Sequence, residues 1–293
     1  YLTEQEFGRK YLHLMDGFPG FPSSSGEPSQ IVRYMSGDQS VIAPIMSNPE
    51  NVYQLGPNAY DKPATALNIL RETVMGRDLF DHAFKTYAQR WMFKHPTPTD
   101  FFRTMEDASA VDLDWFWRGW FYTTDYVDIG VKEVKKLTFT DQPSGKAKEI
   151  LENYQYLLDR YDLVFLSESP IEEEEMSLGV ANSKSLNKII NDNSFNLPKN
   201  IYQVTFNKPG GLVMPVLVDY HFSDGSVQRV NYPAEVWRKN DEEVSKLITT
   251  NKELLRVELD PDEMTADINK ENNTWPKTNE MSEFDQFKAK INN

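Results

Sequence analysis

Few residues in this sequence are equipped for chemistry. The four histidines, His13, His82, His95 and His221, are scattered and form no H-E-x-x-H or H-x-H pattern, and cysteine is absent. Disulfides, cysteine-ligated zinc, iron–sulfur clusters and thiol nucleophiles are therefore excluded together. Asp78 and His82 stand four apart in a helical pattern, a spacing that can hold a metal. It is also that of an exposed helix pair with Asp78 as the cap, and on those grounds we assign no metal to this chain. No G-x-S-x-G elbow occurs, and Pro209-Gly210-Gly211 lies between strand patterns, where it reads as a turn and not a phosphate loop. Asp112 and Asp114 could serve as a glycosidase acid pair, but at the start of an aromatic helix they read as capping residues.

Tyr60 stands apart from these. It precedes Pro63 by three residues, at the expected mouth of a helix whose free N–H groups favour negative charge. A phenol with an ordinary pKa near ~10 stays protonated at neutral pH and can donate a hydrogen bond to a developing oxyanion. A tyrosine at such a place is equally a packing residue on residue type alone.

The elements that must position these groups follow from periodicity. Thr3-x-x-Glu6 reads as a capping box opening a short helix through Phe7, Tyr11, Leu14 and Met15. The Pro-, Gly- and Ser-rich run from Phe18 to Gln30 reads as a loop. A helix is expected from Pro63, with Ala64, Leu67, Leu70 and Val74 as its stripe and Gly76 as its stop. Another follows Asp78, with Phe80, Ala83, Phe84, Tyr87, Ala88 and Trp91 at helical spacing. Two shorter ones cover Asp100 to Asp107 and Leu113 to Tyr122, the last aromatic on nearly every side and so expected to be buried.

Composition shifts near Asp125, and a weakly patterned connector follows, with a short amphipathic piece through Ile150, Tyr154 and Leu157 and the acidic run Glu172 to Glu175. From Ile201 the period becomes two. Tyr202 to Phe206, Val216 to Phe222, Val227 to Tyr232 and Leu255 to Leu259 read as strands, and Ser223-Asp224-Gly225-Ser226 as a type I′ hairpin turn. Such a set suggests an all-β sandwich of roughly 80 residues.

With 31 basic against 45 acidic residues the chain carries a net charge of -14, which argues against neutralising nucleic-acid phosphates or docking on anionic lipid. No run approaches the ~20 apolar residues of a membrane-spanning helix. The length of 293 residues suits about two domains, and the sequence begins inside a helical pattern without a Met, as expected of a fragment or a processed product.

One resemblance gives these features a common reading. The stretch Ala59-Tyr60-Asp61-Lys62-Pro63-Ala64, with Leu67, Leu70-Arg71-Glu72, Gly76 and Phe80, is followed by Tyr87, Trp91, Phe93-Lys94-His95-Pro96-Thr97-Pro98 and Asp100-Phe101-Phe102. Together with Leu113-Asp114-Trp115-Phe116-Trp117 and Trp120-Phe121-Tyr122, it resembles the aminopeptidase N-like (gluzincin) zinc metallopeptidases over roughly residues 1–135. The later Gly211, Pro215, Asp224-Gly225, Pro233, Trp237, Leu259-Asp260-Pro261 and Asn272-Asn273 are similar to the β-sandwich that follows this catalytic domain in bacterial members.

The resemblance implies a multidomain α plus β chain: the helical half of a thermolysin-like catalytic domain, then a C-terminal all-β (Ig-like) sandwich. We expect the helical lobe over residues 1–137, a connector over 138–200, the sandwich over 201–277 and a tail over 278–293. In this family a tyrosine of a Tyr-x-Lys motif stabilises the tetrahedral intermediate, which maps onto Tyr60. The zinc ligands, catalytic glutamate and Gly-x-Met-Glu-Asn strand have no counterpart here, and Pro63 stands where many relatives carry glycine. The expected cofactor is therefore zinc in the full-length enzyme and none held by this chain alone. The expected partners are a peptide or protein substrate and the N-terminal half of the same polypeptide, with no nucleic acid and no membrane span. An extracytoplasmic, periplasmic or secreted, location is implied as well. The alternatives are a non-enzymatic module binding a peptide, glycan or protein through exposed tryptophans, and a degenerate zinc-free relative.

Overall fold

In the computed structural model, which describes residues 26–140, 165–169 and 198–277, five α-helices precede two antiparallel sheets. The expected helix through Met15, the first part of the loop, the piece around Tyr154, the Glu172–Glu175 run and the tail lie outside the described residues.

Helix α1 (Pro28–Met35) begins within the last three residues of the run that the sequence reads as a loop. Pro28 suits a first helical turn, and Ile31, Tyr34 and Met35 bury one face, so periodicity prevails over the Ser- and Gly-rich composition just upstream. Helix α2 (Lys62–Ile69) is the centre of one helical run that includes a π-helical turn before it, Pro57–Asp61, and ends with another, Leu70–Val74. The run opens at Leu55, eight residues before Pro63. A proline inside a helix lacks its N–H and its ring crowds the carbonyl four residues back. The wide turn ahead of Pro63, closed by the Lys62 N–H donating to the Pro57 carbonyl, relieves that conflict. The face it buries is Lys62, Thr65, Ala66, Ile69 and Leu70, while Ala64 and Leu67 of the expected stripe are half-buried.

Helix α3 (Arg77–Trp91) is capped by Gly76 at φ 80°, with Asp78 inside the first turn and not at the cap. It buries Phe80 and Ala83, and Phe84 stacks on Phe80 at 5.7 Å. Helix α4 (Pro98–Ser109) starts where Asp100 reaches back to the Thr97 N–H at 2.8 Å. Helix α5 (Asp114–Tyr122) buries Phe116, Trp117, Trp120 and Phe121; Trp117 stacks on Phe102 of α4 at 4.7 Å.

The first sheet has the order β2-β1-β3-β6, from β1 (Gly130–Thr140), β2 (Phe165–Ser169), β3 (Asn200–Asn207) and β6 (Glu243–Thr250). The second has the order β5-β4-β7-β8, from β4 (Val216–Phe222), β5 (Val227–Tyr232), β7 (Leu254–Leu259) and β8 (Thr274–Trp275). Contacts between the sheets include the Phe206 and Tyr232 rings, 6.3 Å apart, and the Tyr202 hydroxyl, which accepts from the Leu254 N–H at 3.1 Å.

Strand β1 runs through residues that the sequence divides between helical lobe and connector. Its register shifts between Val131 and Glu133, and this bulge breaks the alternation that would have marked a strand. The β4–β5 hairpin forms, but not through a type I′ turn, because Asp224 does not adopt a positive φ. The Gly225 N–H donates to the Phe222 carbonyl at 2.9 Å and only Gly225, at φ 81°, is left-handed. Asp224 accepts from the Ser226 N–H and hydroxyl at 3.0 and 2.6 Å, which fixes a type I turn followed by a left-handed glycine.

Helices and sheets share one core, and the link between them, Asp125–Ile129, is bonded along its length. Tyr126 exchanges backbone bonds with Gly210 and Leu212, at 3.0 and 3.2 Å, and the Val127 carbonyl accepts from Ile268 at 3.0 Å. Gly210 is required here: a Cβ would meet the Tyr126 oxygen at 2.3 Å and the Asp128 nitrogen at 2.5 Å.

Candidate functional site

Tyr60 lies in the π-helical turn and is 71% exposed. It does not stand at a helix mouth. Helical bonding already begins at Asn58, whose N–H donates to the Gln54 carbonyl at 3.0 Å, so no cluster of free N–H groups surrounds the phenol. What the turn provides instead is fixed placement. Asn58, two residues before Tyr60, is buried and donates through Nδ2 to the Ala43 carbonyl at 2.6 Å and to the Tyr34 hydroxyl of α1 at 3.2 Å. Lys62, two residues after it, is 1% exposed and donates through Nζ to the Thr123 carbonyl at 3.3 Å. Burial pushes the Lys62 ammonium down to about 8, against the pull of Asp125 in the other direction.

Further along the run, Arg71 grips Asp81 of α3 with two hydrogen bonds, Nε to Oδ1 at 2.7 Å and Nη2 to Oδ2 at 2.9 Å. It also donates to Glu72 at 2.7 Å, and Arg77 meets the same Glu72 at 2.8 Å. The Asp81 carboxyl is held below its ordinary value chiefly by the Arg71 hydrogen bonds. This brace fixes α2 against α3 after the second π-helical turn.

The other chemistry-bearing residues are not brought together. Asp78 and His82 are exposed on α3. The Asp112 carboxylate accepts from the Asp114 N–H at 3.3 Å, a local turn bond, and Asp112 lies 3.7 Å from Arg238. His221 pairs with Glu258 at 3.2 Å on the second sheet. His95 is exposed, and His13 lies outside the described residues. Among the described residues no group of three or more His, Cys, Asp and Glu side chains could hold a metal ion. Trp117 and Trp120 are buried and Trp115 is half-buried against the same core, so these tryptophans form no exposed patch.

A second unusual group sits at the link between helices and sheets. Asp267 is buried and accepts from the Ile129 N–H at 3.0 Å and the Asn269 N–H at 2.8 Å. Burial pushes its carboxyl up to about 7, with Asp128 and Asp260 adding to the rise and the two N–H bonds opposing it. It lines a cavity of about 230 Å³ together with Ser29 and Val32 of α1, Asp260 and Lys270.

Residue type alone does not single out Lys62 and Asn58. The signal for the lysine lies in the spacing Lys62, Thr65–Ala66, Ile69, which puts it on the buried face of its own helix.

Compared with known proteins, the chain matches no protein-family model and no curated protein. Among the described residues no helix is long and apolar enough to cross a membrane.

Proposed function

We propose that this chain is the C-terminal portion of a zinc-dependent, aminopeptidase N-like metallopeptidase, in which Tyr60 donates a hydrogen bond to the oxyanion formed at a peptide carbonyl. The observation that carries the reading is the exposed phenol on a turn whose two flanking polar residues, Asn58 and Lys62, are buried and bonded inward. An oxyanion donor works by being held in place before charge develops, and a phenol at that position contributes about 2.7–4 kcal/mol by comparison with lost oxyanion donors. The order of elements, five helices and then two antiparallel sheets, accords with the helical half of a thermolysin-like domain followed by an Ig-like sandwich.

The described residues do not fit zinc by themselves, since they assemble no ligand set. The metal belongs in this reading to the N-terminal half of the same polypeptide, and the chain alone is inactive. The substrate is a peptide or protein, and the location is extracytoplasmic, both on the strength of the resemblance. Burial of Trp117 and Trp120 removes the exposed tryptophans on which a binding-module reading would rest.

Tyr60→Phe in the longer polypeptide tests the proposal. Turnover of a peptide substrate should fall about 10²–10³-fold with zinc content unchanged. Wild-type turnover in that variant, or peptide cleavage with stoichiometric zinc by the 293-residue chain alone, would overturn it.

A further inference from the structure

We propose that Lys62 is a positioning residue for Tyr60, its buried ammonium tying the π-helical turn that carries the phenol to the carbonyl of Thr123 just beyond α5. This rests on the reading of Tyr60 as the oxyanion donor for its catalytic meaning, but the tie itself is a matter of geometry. The Lys62 backbone N–H closes the π-helical turn on the Pro57 carbonyl, and its side chain leaves that turn for the protein interior. Lysine is rarely buried unless paired, because a charged group taken out of water costs several kcal/mol unless hydrogen bonds and opposite charge offset it. Here the side chain is 1% exposed and donates to Thr123, with the Asp125 carboxylate as the charge acting on it. A costly group retained at the turn bearing the candidate donor points to a role that an apolar side chain of equal length would not fill.

The partner end is itself fixed. Thr123 donates through its hydroxyl to the Gly119 carbonyl of α5 at 2.8 Å, and the Asp125 N–H donates to the Thr123 hydroxyl at 3.2 Å. The next residue, Tyr126, is bonded to Gly210 and Leu212 of the sheet region. Lys62 therefore connects the Tyr60 turn to the rigid junction between helices and sheets. Across the turn, Asn58 makes the corresponding tie to Ala43 and to the Tyr34 hydroxyl.

The tie weakens with deprotonation. A charge-assisted hydrogen bond is roughly twice as strong as a neutral one, and the attraction to Asp125 vanishes with the proton. Burial brings that loss down to about 8.

The test follows the Tyr60 ring directly, by NMR of the chain with carbon-13-labelled tyrosine rings from pH 6 to 9, the resonance assigned by its absence in Tyr60→Phe. The wild-type resonance should move through a transition near pH 8. In Lys62→Met, which fills the same slot without charge, it should sit at the displaced position at every pH. Asp125→Asn leaves the buried slot intact and should move the transition to lower pH. In the longer polypeptide, Lys62→Met should lower kcat at least tenfold with KM within twofold of wild type. A Tyr60 resonance unchanged in folded Lys62→Met overturns the proposal, even where Tyr60→Phe abolishes turnover and the catalytic reading stands. Displaced resonances with full turnover in Tyr60→Phe uphold the tie and remove the catalytic reading. Should Lys62→Met fail to fold, the Asp125→Asn titration decides alone, and a transition that stays in place refutes the tie.

Discussion

Replacing Asp267 by asparagine should flatten the pH dependence of stability between pH 5 and pH 8. In the folded chain the carboxyl titrates at about 7, raised from 3.8 first by burial and then by Asp128 and Asp260. A carboxyl with a raised folded pKa binds more protons folded than unfolded between those two values. Its stabilising contribution is therefore complete below about 3.8 and is lost as the pH rises through about 7. At pH 5 the folded state retains on the order of 3 kcal/mol from this group, and at pH 8 almost none. An asparagine in its place does not titrate and so contributes nothing that depends on pH. The Asp267→Asn variant loses one of the two N–H bonds from Ile129 and Asn269, a cost of about 1–3 kcal/mol that is the same at both pH values. Wild type should thus lose on the order of 3 kcal/mol more than the variant between pH 5 and pH 8. Urea unfolding at the two pH values, followed by tryptophan fluorescence, measures this difference. Parallel profiles, within about 0.5 kcal/mol, would refute the claim that burial keeps Asp267 protonated in the folded chain near neutrality.

Two glycine substitutions should act in opposite directions. Gly210→Ala drives a methyl into the Tyr126 and Asp128 backbone and should destabilise by at least about 2 kcal/mol in thermal unfolding. Gly56→Ala, with nothing within 4 Å of its Cβ and a helical φ of -58°, should stabilise by up to about 1 kcal/mol in the same assay. Trp120→Ala empties a fully buried site and should cost about 3–5 kcal/mol, read from the denaturation midpoint.

Long periodic segments are legible from the residues. The apolar spacing from Phe80 to Trp91 and the aromatic run from Trp115 to Phe121 give helices, and alternation gives β3, β4, β5 and β7. Local features defeat the same reasoning elsewhere. Strand β1 carries a bulge that destroys its alternation, and β6 is an edge strand with most of its residues in partial or full contact with solvent, so burial leaves little pattern in it. Periodicity places the helix at Pro63 too late because proline normally opens a helix, whereas here a π-helical turn lets it sit inside one. For the candidate site, residue chemistry singles out Tyr60, and resemblance supplies its proposed role. Lys62 is inconspicuous by residue type, because lysine is normally exposed, and its spacing with Thr65, Ala66 and Ile69 is the one sequence signal that it faces inward.

The bonded link from Asp125 to Ile129 bears on how this polypeptide could be divided or recombined. A junction at Asp125 would leave Tyr126 with Gly210 and Leu212, Val127 with Ile268 and Ile129 with Asp267, but would part Gly119 from the Leu212 side chain packed on it and Asp112 from Arg238. It would also divide the core that helices and sheets share and open Leu212, which packs on Gly119, to water. The sheets are consequently no portable cassette: grafted without the helices, they would arrive with an uncovered apolar seam and a tendency to aggregate.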